Sequence, residues 1–385
     1  MDASRTRAPR RSIHIFGSLA TGGAETWFLR LLASRPPGCR WSADVCLLDP
    51  QPGPYVERAR ELGAEILECP FRPAATFPWR LHKLLRGQRY DVVHSHVLLF
   101  GGVIAAAAAA AGVPVRVAHA HNSRDGRGGS AGRFLYRAGM RAAMRRFANL
   151  GLACSRGAAK MLGLRDVKLL PYGLDLNPCE TLRGSLKAEL GWTEDAFVLG
   201  AVGRLHPQKN HAFLLEAFAE ARQWEPRLRL AIVGEGELRP ALEERIADLG
   251  LDGLVRLTGR RGDVAELLHG LFDAFVMPSL YEGLPVALLE GQAAGLPCLV
   301  SDRISREAFA IPELIGSAAL DAGWARRLAD LPGRRRLASK AARELLRDAG
   351  FAIDDAWRRL TAYYDGVLEQ AESADEDAAD WAEAA

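Results

Sequence analysis

Residues 278–302, PSLYEGLPVALLEGQAAGLPCLVSD, constrain the fold more than any other stretch of the chain. The apolar residues 271–277 before them have the length and the Phe and Val content of a buried strand. Pro285 suits the first position of a helix over residues 286–294, and residues 297–300 form the next short strand. A strand, a loop, a helix and a second strand in this order are typical of an open α/β sheet.

Two glutamates, Glu282 in the loop and Glu290 in the helix, are eight residues apart in this stretch. In open α/β sheets, ligands bind beyond the carboxyl ends of the strands, beside helix N-termini. Eight helical residues make two turns plus roughly 80°, so the two carboxylates can converge on one ligand. Helix N–H groups at residues 283–286 would favour an anion, and the glutamates can accept hydrogen bonds from sugar hydroxyls. The spacing alone is equally compatible with two solvated glutamates beside an ordinary turn.

Residues 203–210, GRLHPQKN, form a second polar loop after a predicted apolar strand. Arg204 and Lys209 lie in this loop, and Asn210 is the expected N-cap of a helix over residues 211–222. Two cations beside a helix N-terminus suit a diphosphate, because Arg offers a bidentate fork and Lys a point charge. Two solvated basic side chains are the alternative.

A glycine-containing turn near the start of the chain follows a short strand over residues 12–16. Gly23 opens the helix after this turn, and the arrangement can cradle a phosphate. The G-x-G-x-x-G fingerprint of dinucleotide-binding proteins is absent. Asp49, after the next strand, could imitate the acidic residue of a nicotinamide site, but without the glycines it is weak support for one.

Two neighbouring strands of the first half end in pairs of histidines. DVVHSH carries His94 and His96, and VPVRVAHAH carries His119 and His121. A single histidine at a strand end is commonly structural, but such ends face the ligand crevice of a parallel sheet. Period-two alternation places the two histidines of each pair on one face, so all four are candidate functional residues.

A predicted helix over residues 133–146 is strongly basic. Its arginines at four-residue spacing, which one helical face would share, are Arg133, Arg137, Arg141 and Arg145. One interpretation is a surface helix with a basic exterior. The other is a patch that docks on anionic lipid headgroups or binds a lipid-diphosphate acceptor.

Both polar loops match one known family. SLYEGLPVALLEGQAAGLPCLVSD resembles the E-x7-E signature, and GRLHPQKN the donor-diphosphate segment, of retaining GT-B glycosyltransferases of family 4, exopolysaccharide type. YGLDLNPC resembles the family's Asn-Gly-(Ile/Val)-Asp segment at the domain junction, with Tyr172 in place of Asn. The resemblance covers roughly residues 13–368 and implies two doubly wound Rossmann-like domains facing across a cleft. The C-terminal helix would cross back to the first domain.

The resemblance also implies roles for individual residues. In this family the second domain holds a nucleotide sugar, so Glu290 would hold the ribose and Glu282 the sugar hydroxyls. His121 would contact the donor sugar from the first domain, with His119 as the alternative, and His96 would lie on the acceptor side.

The implied catalytic chemistry depends on charge at the leaving diphosphate, which Arg204 and Lys209 would neutralise as it departs. The catalytic residues implied are His121, Arg204, Lys209 and Glu282. The other donor-binding residues implied are Gly23, Gly203, Asn210, Gly234, Arg261, Gly283 and Leu284. Neither predicted domain contains a D-x-D-type carboxylate pair, so we expect no metal and no other cofactor.

The function implied is retaining transfer of a hexose-type sugar, without a covalent enzyme intermediate. The donor would be a UDP-sugar and the acceptor a saccharide or a polyprenyl-linked saccharide, in polysaccharide or cell-envelope glycan synthesis. A UDP-sugar epimerase of GT-B fold and a non-catalytic nucleotide-sugar-binding protein remain alternatives.

A length of 385 residues predicts two domains. The predicted segments are a basic disordered N-terminus (1–11), a first domain (12–177), a second domain (178–350), a crossover helix (351–370) and an acidic disordered tail (371–385).

Charge and cysteine usage limit the partners and the compartment. A net charge of +3 is too small to indicate nucleic-acid binding. The six cysteines form no C-x-x-C pair, which favours a reducing compartment. No apolar run approaches the roughly 20 residues of a membrane span, and no secretory signal is evident. We therefore expect a cytoplasmic protein, with the inner face of the plasma membrane as a candidate docking surface for residues 133–146.

Overall fold

The chain divides into two compact α/β units. A computed structural model describes residues 8–20, 22–51, 53–123, 130–177 and 185–383. The first unit combines Met1–Gly173 with Ile353–Ala385, and the second unit is Leu174–Ala352. Each unit contains one parallel sheet with helical connections, which confirms the predicted class of two doubly wound, Rossmann-like domains.

In the described residues of the first unit, the sheet has seven parallel strands. These are β1 (Arg10–Phe16), β2 (Trp41–Leu47), β3 (Ile66–Glu68), β4 (Val92–Ser95), β5 (Val115–Ala120), β6 (Leu150–Ala153) and β7 (Val167–Leu169). Their order is β3-β2-β1-β4-β5-β6-β7, so the winding direction reverses between β1 and β4. Ligands of doubly wound sheets bind at such a switch point.

Helices connect these strands and cover the sheet. They are α1 (Gly23–Ala33), α2 (Val56–Glu61), α3 (Phe77–Gln88), α4 (Gly101–Ala110), α5 (Ala131–Phe147) and α6 (Arg156–Leu162). Helix α3 shows why the sequence forms an amphipathic helix: Phe77, Leu81 and Leu85, four residues apart, are buried in one core cluster with Ile13 of β1. Burying each such side chain contributes about 1.5–3 kcal/mol.

The second unit repeats the architecture, with six strands in its described residues. They are β8 (Phe197–Val202), β9 (Leu228–Val233), β10 (Val255–Gly259), β11 (Ala274–Met277), β12 (Cys298–Ser301) and β13 (Ile315–Ala318). The order β10-β9-β8-β11-β12-β13 places the switch point between β8 and β11. The two predicted polar loops follow these two strands.

Helices connect the strands of the second unit. They are α7 (Ser185–Glu189), α8 (His211–Ala221), α9 (Arg239–Asp248), α10 (Val264–Glu266), α11 (Val286–Ala293), α12 (Gly323–Ala329) and α13 (Ser339–Asp348). Leu214 and Phe218 of α8 share a buried cluster with Trp324 and Leu328 of α12.

The last helix, α14 (Ala356–Glu383), belongs to the first unit, as the predicted crossover requires. The Tyr364 ring lies 5.2 Å from the Trp41 ring, and Arg40 forms an ion pair with Asp365 at 2.5 Å. These contacts attach the helix beside β2.

Several boundaries differ from those expected. The first unit ends at Gly173 instead of residue 177. Strand β1 begins at Arg10, which pairs with Trp41, although residues 1–11 were expected to be disordered; residues 1–7 lie outside the described residues. Helix α14 continues to Glu383 where residues 371–385 were expected to be a disordered tail, and its Ala and Glu content favours a helix there.

The strand predicted over residues 271–277 is shorter in the structure. Leu267–Leu271 forms a π-helical turn, and β11 contains only Ala274–Met277. The Asp273 carboxylate accepts a hydrogen bond from the Val198 N–H at 2.9 Å, which fixes where the chain enters the sheet. The apolar pattern could not distinguish this helical turn from a strand.

Candidate functional site

The loops after β8 and β11 bring a lysine and a glutamate into contact. Lys209 Nζ lies 2.6 Å from Glu282 Oε1. Gln208 Nε2 donates to Glu282 Oε2 at 3.2 Å and to the Tyr281 carbonyl at 2.8 Å. The Glu282 side chain is 8% exposed and that of Lys209 is 19% exposed, so the ion pair is largely shielded from water. The structure thus places two of the predicted site residues together at the switch point of the second sheet.

Further hydrogen bonds hold the two loops in register. The Leu280 N–H donates to the Gln208 carbonyl at 2.8 Å, and Asn210 Nδ2 donates to the Pro278 carbonyl at 3.3 Å. Asn210 precedes α8 with φ 58°, a left-handed conformation that Asn tolerates. Asn210 therefore occupies the predicted N-cap position of α8, but its side chain ties the loops together instead of capping the helix.

Two predicted glycines allow the loops after β8 and β9 to pack closely. A Cβ on Gly203 would lie 2.8 Å from Lys209 Cε, and a Cβ on Gly234 would collide with the Gly203 carbonyl oxygen. Gly234 also has φ 143°, which disfavours any side chain. Larger residues at these positions would displace the Lys209 side chain.

Arg204 is paired with a residue that the sequence did not single out. Arg204 Nη2 lies 3.2 Å from Glu237 Oε2, and the Arg204 side chain is 64% exposed. His206 Nε2 lies 3.6 Å from the other oxygen of Glu237. A hydrogen bond from its own backbone and the nearby Arg204 lower the pKa of Glu237. The GEGEL loop that carries Glu237 was considered only for its glycines.

Helix α11 begins at Val286, as predicted, and Pro285 is its N-cap instead of its first residue. Gly283 and Leu284 are buried before it, and Glu290 is half-buried within it. Arg261, expected near a nucleobase, forms a double hydrogen bond with Asp263 at 2.8 and 2.5 Å. This hydrogen bonding raises the pKa of Arg261.

Gln292 of α11 is a buried positioning residue that the sequence did not reveal. Its Nε2 donates to the Ala308 carbonyl at 2.8 Å, and its Oε1 accepts from the Ile311 N–H at 2.8 Å. The side chain thereby fixes the orientation of α11, which carries Glu290. The sequence signal that could have revealed Gln292 is a polar residue in an otherwise apolar helical segment, two positions after Glu290.

In the first unit, five histidines form two hydrogen-bonded chains whose rings pack against each other, and we call the five together the histidine cluster. Its members are His14, His94, His96, His119 and His121. The sequence predicted four of them and missed His14, which pairs in register with His94 on the neighbouring strand. His14 occupies the same alternating face of β1 that His94 occupies on β4, so the strand order was needed to find it.

The first chain of hydrogen bonds in the histidine cluster leads to Tyr172. His14 Nδ1 lies 3.0 Å from His96 Nε2, and His96 Nδ1 lies 2.8 Å from His121 Nε2. His121 Nδ1 lies 2.7 Å from Tyr172 Oη. Both ring nitrogens of His121 are therefore engaged within the first unit, and Tyr172, the departure from the family pattern, supplies one of the partners.

The second chain of hydrogen bonds leads to Tyr364 of α14. His94 Nε2 lies 2.9 Å from His119 Nδ1, and His94 Nδ1 lies 2.6 Å from Tyr364 Oη. His119 Nε2 is buried and has no hydrogen-bond partner within the part of the chain that the structure describes. Trp27 of α1, whose first residue is the predicted Gly23, packs edge-on against the His119 ring at 5.6 Å.

Burial lowers the pKa of every ring in the histidine cluster. For His14 and His121 the pKa falls to about 3. Desolvation is the main cause, because a charged imidazolium loses its hydration inside the unit. The five rings are therefore neutral near pH 7.

Helix α5 contains the predicted basic residues. Phe134 and Leu135 are 70% and 69% exposed, whereas Met144 is buried. Arg141 Nε donates to the Met161 carbonyl at 3.2 Å, and Arg145 Nε donates to the Gly163 carbonyl at 2.8 Å. These two arginines attach α5 to α6, so the predicted four-residue stripe is not entirely available to a ligand.

The hydropathy of the helices bears on membrane attachment. Among the described residues, no helix is both long enough and apolar enough to cross a bilayer.

Comparison with known proteins identifies the family. The family model described as Glycosyl transferases group 1 matches residues 183–315, and that described as Glycosyl transferase 4-like domain matches residues 22–173. EpsF of Bacillus subtilis is 33% identical over 311 residues, covering 77% of this chain and 80% of that protein. The Escherichia coli UDP-Gal:alpha-D-GlcNAc-diphosphoundecaprenol alpha-1,3-galactosyltransferase is 33% identical over 245 residues, covering 58% and 60%.

Solved structures share the fold at low sequence identity. Anabaena Alr3699/HepE in complex with UDP and glucose has a TM-score of 0.72 at 19% identity, covering 93% of this chain and 100% of that chain. Sucrose-phosphate synthase from Thermosynechococcus elongatus has a TM-score of 0.71 at 17% identity, covering 94% and 100%. The chain therefore belongs to the group 1 glycosyltransferases of the GT-B fold.

Proposed function

We propose that the chain transfers a hexose-type sugar from a UDP-sugar to a saccharide or polyprenyl-linked saccharide, with retention of configuration. The contact between Lys209 and Glu282 carries the proposal, because it places a cation and a carboxylate where a doubly wound sheet binds its ligand. The UDP-Gal donor and diphosphoundecaprenol acceptor named for the Escherichia coli relative support these substrate classes. So does the UDP bound by Anabaena HepE. The pathway we propose is exopolysaccharide or cell-envelope glycan synthesis, in the cytoplasm.

In the proposed reaction, the acceptor hydroxyl oxygen forms a bond to the anomeric carbon while the bond from that carbon to the diphosphate oxygen breaks. The hydroxyl proton passes to the leaving diphosphate, and no covalent enzyme intermediate forms. Lys209 stabilises the negative charge that grows on the diphosphate. Glu282 accepts hydrogen bonds from the sugar hydroxyls, since a carboxylate has about four acceptor positions. Glu290 accepts from the ribose.

Arg204 is the second cation of the proposed diphosphate site. It must exchange Glu237 for a phosphate oxygen when the donor binds. The exchange is easy because the pair is exposed, and exposed ion pairs contribute little to stability. With Lys209 and Arg204 opposite the diphosphate, we propose that transfer needs no Mg²⁺.

The first unit would supply the contact to the transferred sugar. His121 is half-buried whereas His119 is 1% exposed, which favours His121 for this role. Both nitrogens of His121 have partners, so the contact requires exchange of its hydrogen bond to Tyr172 or to His96. His96 is also half-buried and remains our candidate for the acceptor side.

The test begins with thermal stabilisation of the purified chain by UDP-glucose, UDP-galactose and UDP-N-acetylglucosamine. The stabilising donor is then incubated with polyprenyl-diphosphate saccharides, and the products are analysed by mass and by NMR of the new anomeric centre. We expect an acceptor enlarged by one sugar with the donor's configuration. An isomerised nucleotide sugar without any acceptor product would indicate an epimerase. UDP binding without turnover, even of slow donor hydrolysis, would indicate a non-catalytic protein.

We also propose that α5 contacts an anionic membrane surface. The exposed Phe134 and Leu135 can enter the interface between headgroups and acyl chains, while neighbouring arginines attract anionic lipids. Such contact would bring the enzyme to a lipid-linked acceptor.

Co-sedimentation with phosphatidylglycerol vesicles measures this contact. We expect Phe134→Ser with Leu135→Ser to reduce binding several-fold. Arg141 and Arg145 are left intact because they hold α5 on α6. The control is Arg326→Glu, which reverses the charge of an exposed arginine on α12 in the second unit. This variant should bind the vesicles as strongly as the wild type. Equal binding by the Phe134/Leu135 double variant and the wild type would refute the contact.

A further inference from the structure

Three members of the histidine cluster are arranged as potential metal ligands. We propose that His96, His119 and His121 bind one divalent ion of the Zn²⁺ type, with a fourth coordination position left for water. One ring nitrogen of each side chain lies within 4.8 Å of the other two. The site lies in the first unit and the diphosphate site in the second, and the sequence led us to expect no metal in either.

The unpaired nitrogen of His119 is the first observation that indicates an ion. Nε2 of this ring is buried without a hydrogen-bond partner in the described part of the chain, and the residue is 1% exposed. A buried polar atom without a partner is unfavourable. Coordination of an ion through Nε2 would satisfy it.

The second observation is that the remaining nitrogen of every proposed ligand is already held. His119 Nδ1 lies 2.9 Å from His94 Nε2, and His121 Nδ1 lies 2.7 Å from Tyr172 Oη. His96 Nε2 lies 3.0 Å from His14 Nδ1. If each of these nitrogens carries the proton and donates, the lone pairs of His119 Nε2, His121 Nε2 and His96 Nδ1 are free for an ion. Metal-binding histidines are held in this way by partners of their second nitrogen.

The distance between His96 and His121 requires only a small adjustment. His96 Nδ1 and His121 Nε2 now lie 2.8 Å apart in a mutual hydrogen bond that the ion would replace. Tetrahedral Zn²⁺ with bonds of about 2.0–2.1 Å separates its ligand nitrogens by about 3.3 Å. Rotations of the two rings that widen this distance by about half an ångström would admit the ion.

A second trio of His14, His94 and His96 also meets the distance condition. It is the weaker candidate, because each ring nitrogen of His14, His94 and His96 has a hydrogen-bond partner, whereas the proposed trio contains the unpartnered Nε2 of His119. The two trios share His96, so they would compete for one ion.

The ligand set also selects the ion. Three neutral imidazoles suit Zn²⁺, Ni²⁺, Cu²⁺ or Co²⁺, whereas Mg²⁺ prefers oxygen ligands. Three histidines with an open position are known from zinc sites. Here the ion would join the carboxyl ends of β4 and β5.

The first experiment measures Zn²⁺ binding to the full chain by calorimetry, after EDTA treatment and desalting. We expect one ion per chain for the wild type and no binding of Mg²⁺. His119→Gln should weaken Zn²⁺ binding by at least tenfold, and Tyr172→Phe, which removes only the partner of His121, by about 10–100-fold. His82→Gln alters a histidine of α3 outside the cluster and should bind like the wild type.

The second experiment locates the ion. The Trp27 ring lies 5.6 Å from the His119 ring and 6.1 Å from the His121 ring, so bound Co²⁺ should quench Trp27 fluorescence. Trp27→Phe should remove this quenching while the chain still binds one ion. Circular dichroism establishes that each variant is folded. The proposal is overturned if the wild type binds no stoichiometric ion, if folded His119→Gln binds equally well, or if Trp27→Phe leaves the quenching unchanged.

Discussion

Replacing Lys209 by Met separates its role in catalysis from its role in stability. The substitution keeps an apolar stem beside Gly203 and removes the cation that lies 2.6 Å from Glu282. The 8%-exposed Glu282 carboxylate then loses its charge partner but keeps the hydrogen bond from Gln208. We expect the free energy of unfolding to fall by about 1–3 kcal/mol. This is less than the 3–5 kcal/mol typical of a broken, fully buried pair, since Lys209 retains some exposure.

The effect on catalysis should be larger than the effect on folding. If Lys209 stabilises the leaving diphosphate, its removal costs on the order of 10²-fold in kcat. The double variant Lys209→Met with Glu282→Gln also removes the carboxylate charge that Lys209 balances, so its stability should recover towards that of the wild type. Its kcat should not recover, because the cation at the diphosphate is still missing.

Thermal unfolding and release of UDP from the donor measure the two effects separately. A loss of 1 kcal/mol corresponds to a shift of about 2–4 °C for a domain of this size. Lys187→Met is the matched control, because Lys187 pairs with Asp273 at 3.7 Å in the same unit, at the opposite end of β11 from Glu282. It should lower stability without lowering kcat tenfold. Lys209→Met activity within threefold of the wild type, or a double variant that regains activity together with stability, would refute the reasoning.

Three further predictions follow from the same geometry. Arg204→Ala should lower kcat by on the order of 10²-fold. Glu237→Gln removes the carboxylate that competes with the donor for Arg204, so it should lower the KM for the donor. An unchanged KM would contradict the proposal that Arg204 exchanges Glu237 for a phosphate oxygen. After chelation and desalting, added Mg²⁺ should not raise the rate of transfer, because Arg204 and Lys209 balance the diphosphate charge. A rate that depends on Mg²⁺ would show that the two cations are not sufficient. Thermal unfolding should show that stability is full above about pH 6.5 and declines as the pH falls towards about 3, the pKa of buried His14 and His121. The sign follows because the unfolded chain binds more protons than the folded chain in this interval; His14→Gln should make the decline shallower.

Local patterns were sufficient to predict the elements that carry Lys209 and Glu282. Each belongs to a strand, loop and helix that are contiguous in sequence, and the rule that ligands bind at the carboxyl edge of a doubly wound sheet brings the loops together. The 2.6 Å contact between the two side chains agrees with that expectation. This rule needs only the order of strands and helices along the chain, and that order can be predicted from the sequence.

Partners from distant segments could not be predicted in this way. The contact of Arg204 with Glu237 depends on how two loops bend, and the contact of His121 with Tyr172 joins residues 51 positions apart. His14 was missed because its importance depends on β1 lying beside β4, a neighbour relation that skips two strands in sequence. Periodicity describes the face of an element but does not say which element covers that face.

Two tyrosines connect the histidine cluster to the places where the chain leaves and re-enters the first unit. Tyr172 bonds His121 one residue before the unit ends at Gly173, and Tyr364 of α14 bonds His94 soon after the unit resumes at Ile353. Because each tyrosine hydroxyl can donate or accept, the Tyr172 hydroxyl is set together with the tautomers of His121, His96 and His14. The Tyr364 hydroxyl is likewise set together with the tautomers of His94 and His119, in a separate chain of hydrogen bonds. An ion bound by the cluster would fix one such arrangement. It would also hold His121 away from a donor sugar, so the two proposals for the first unit are linked through a single imidazole.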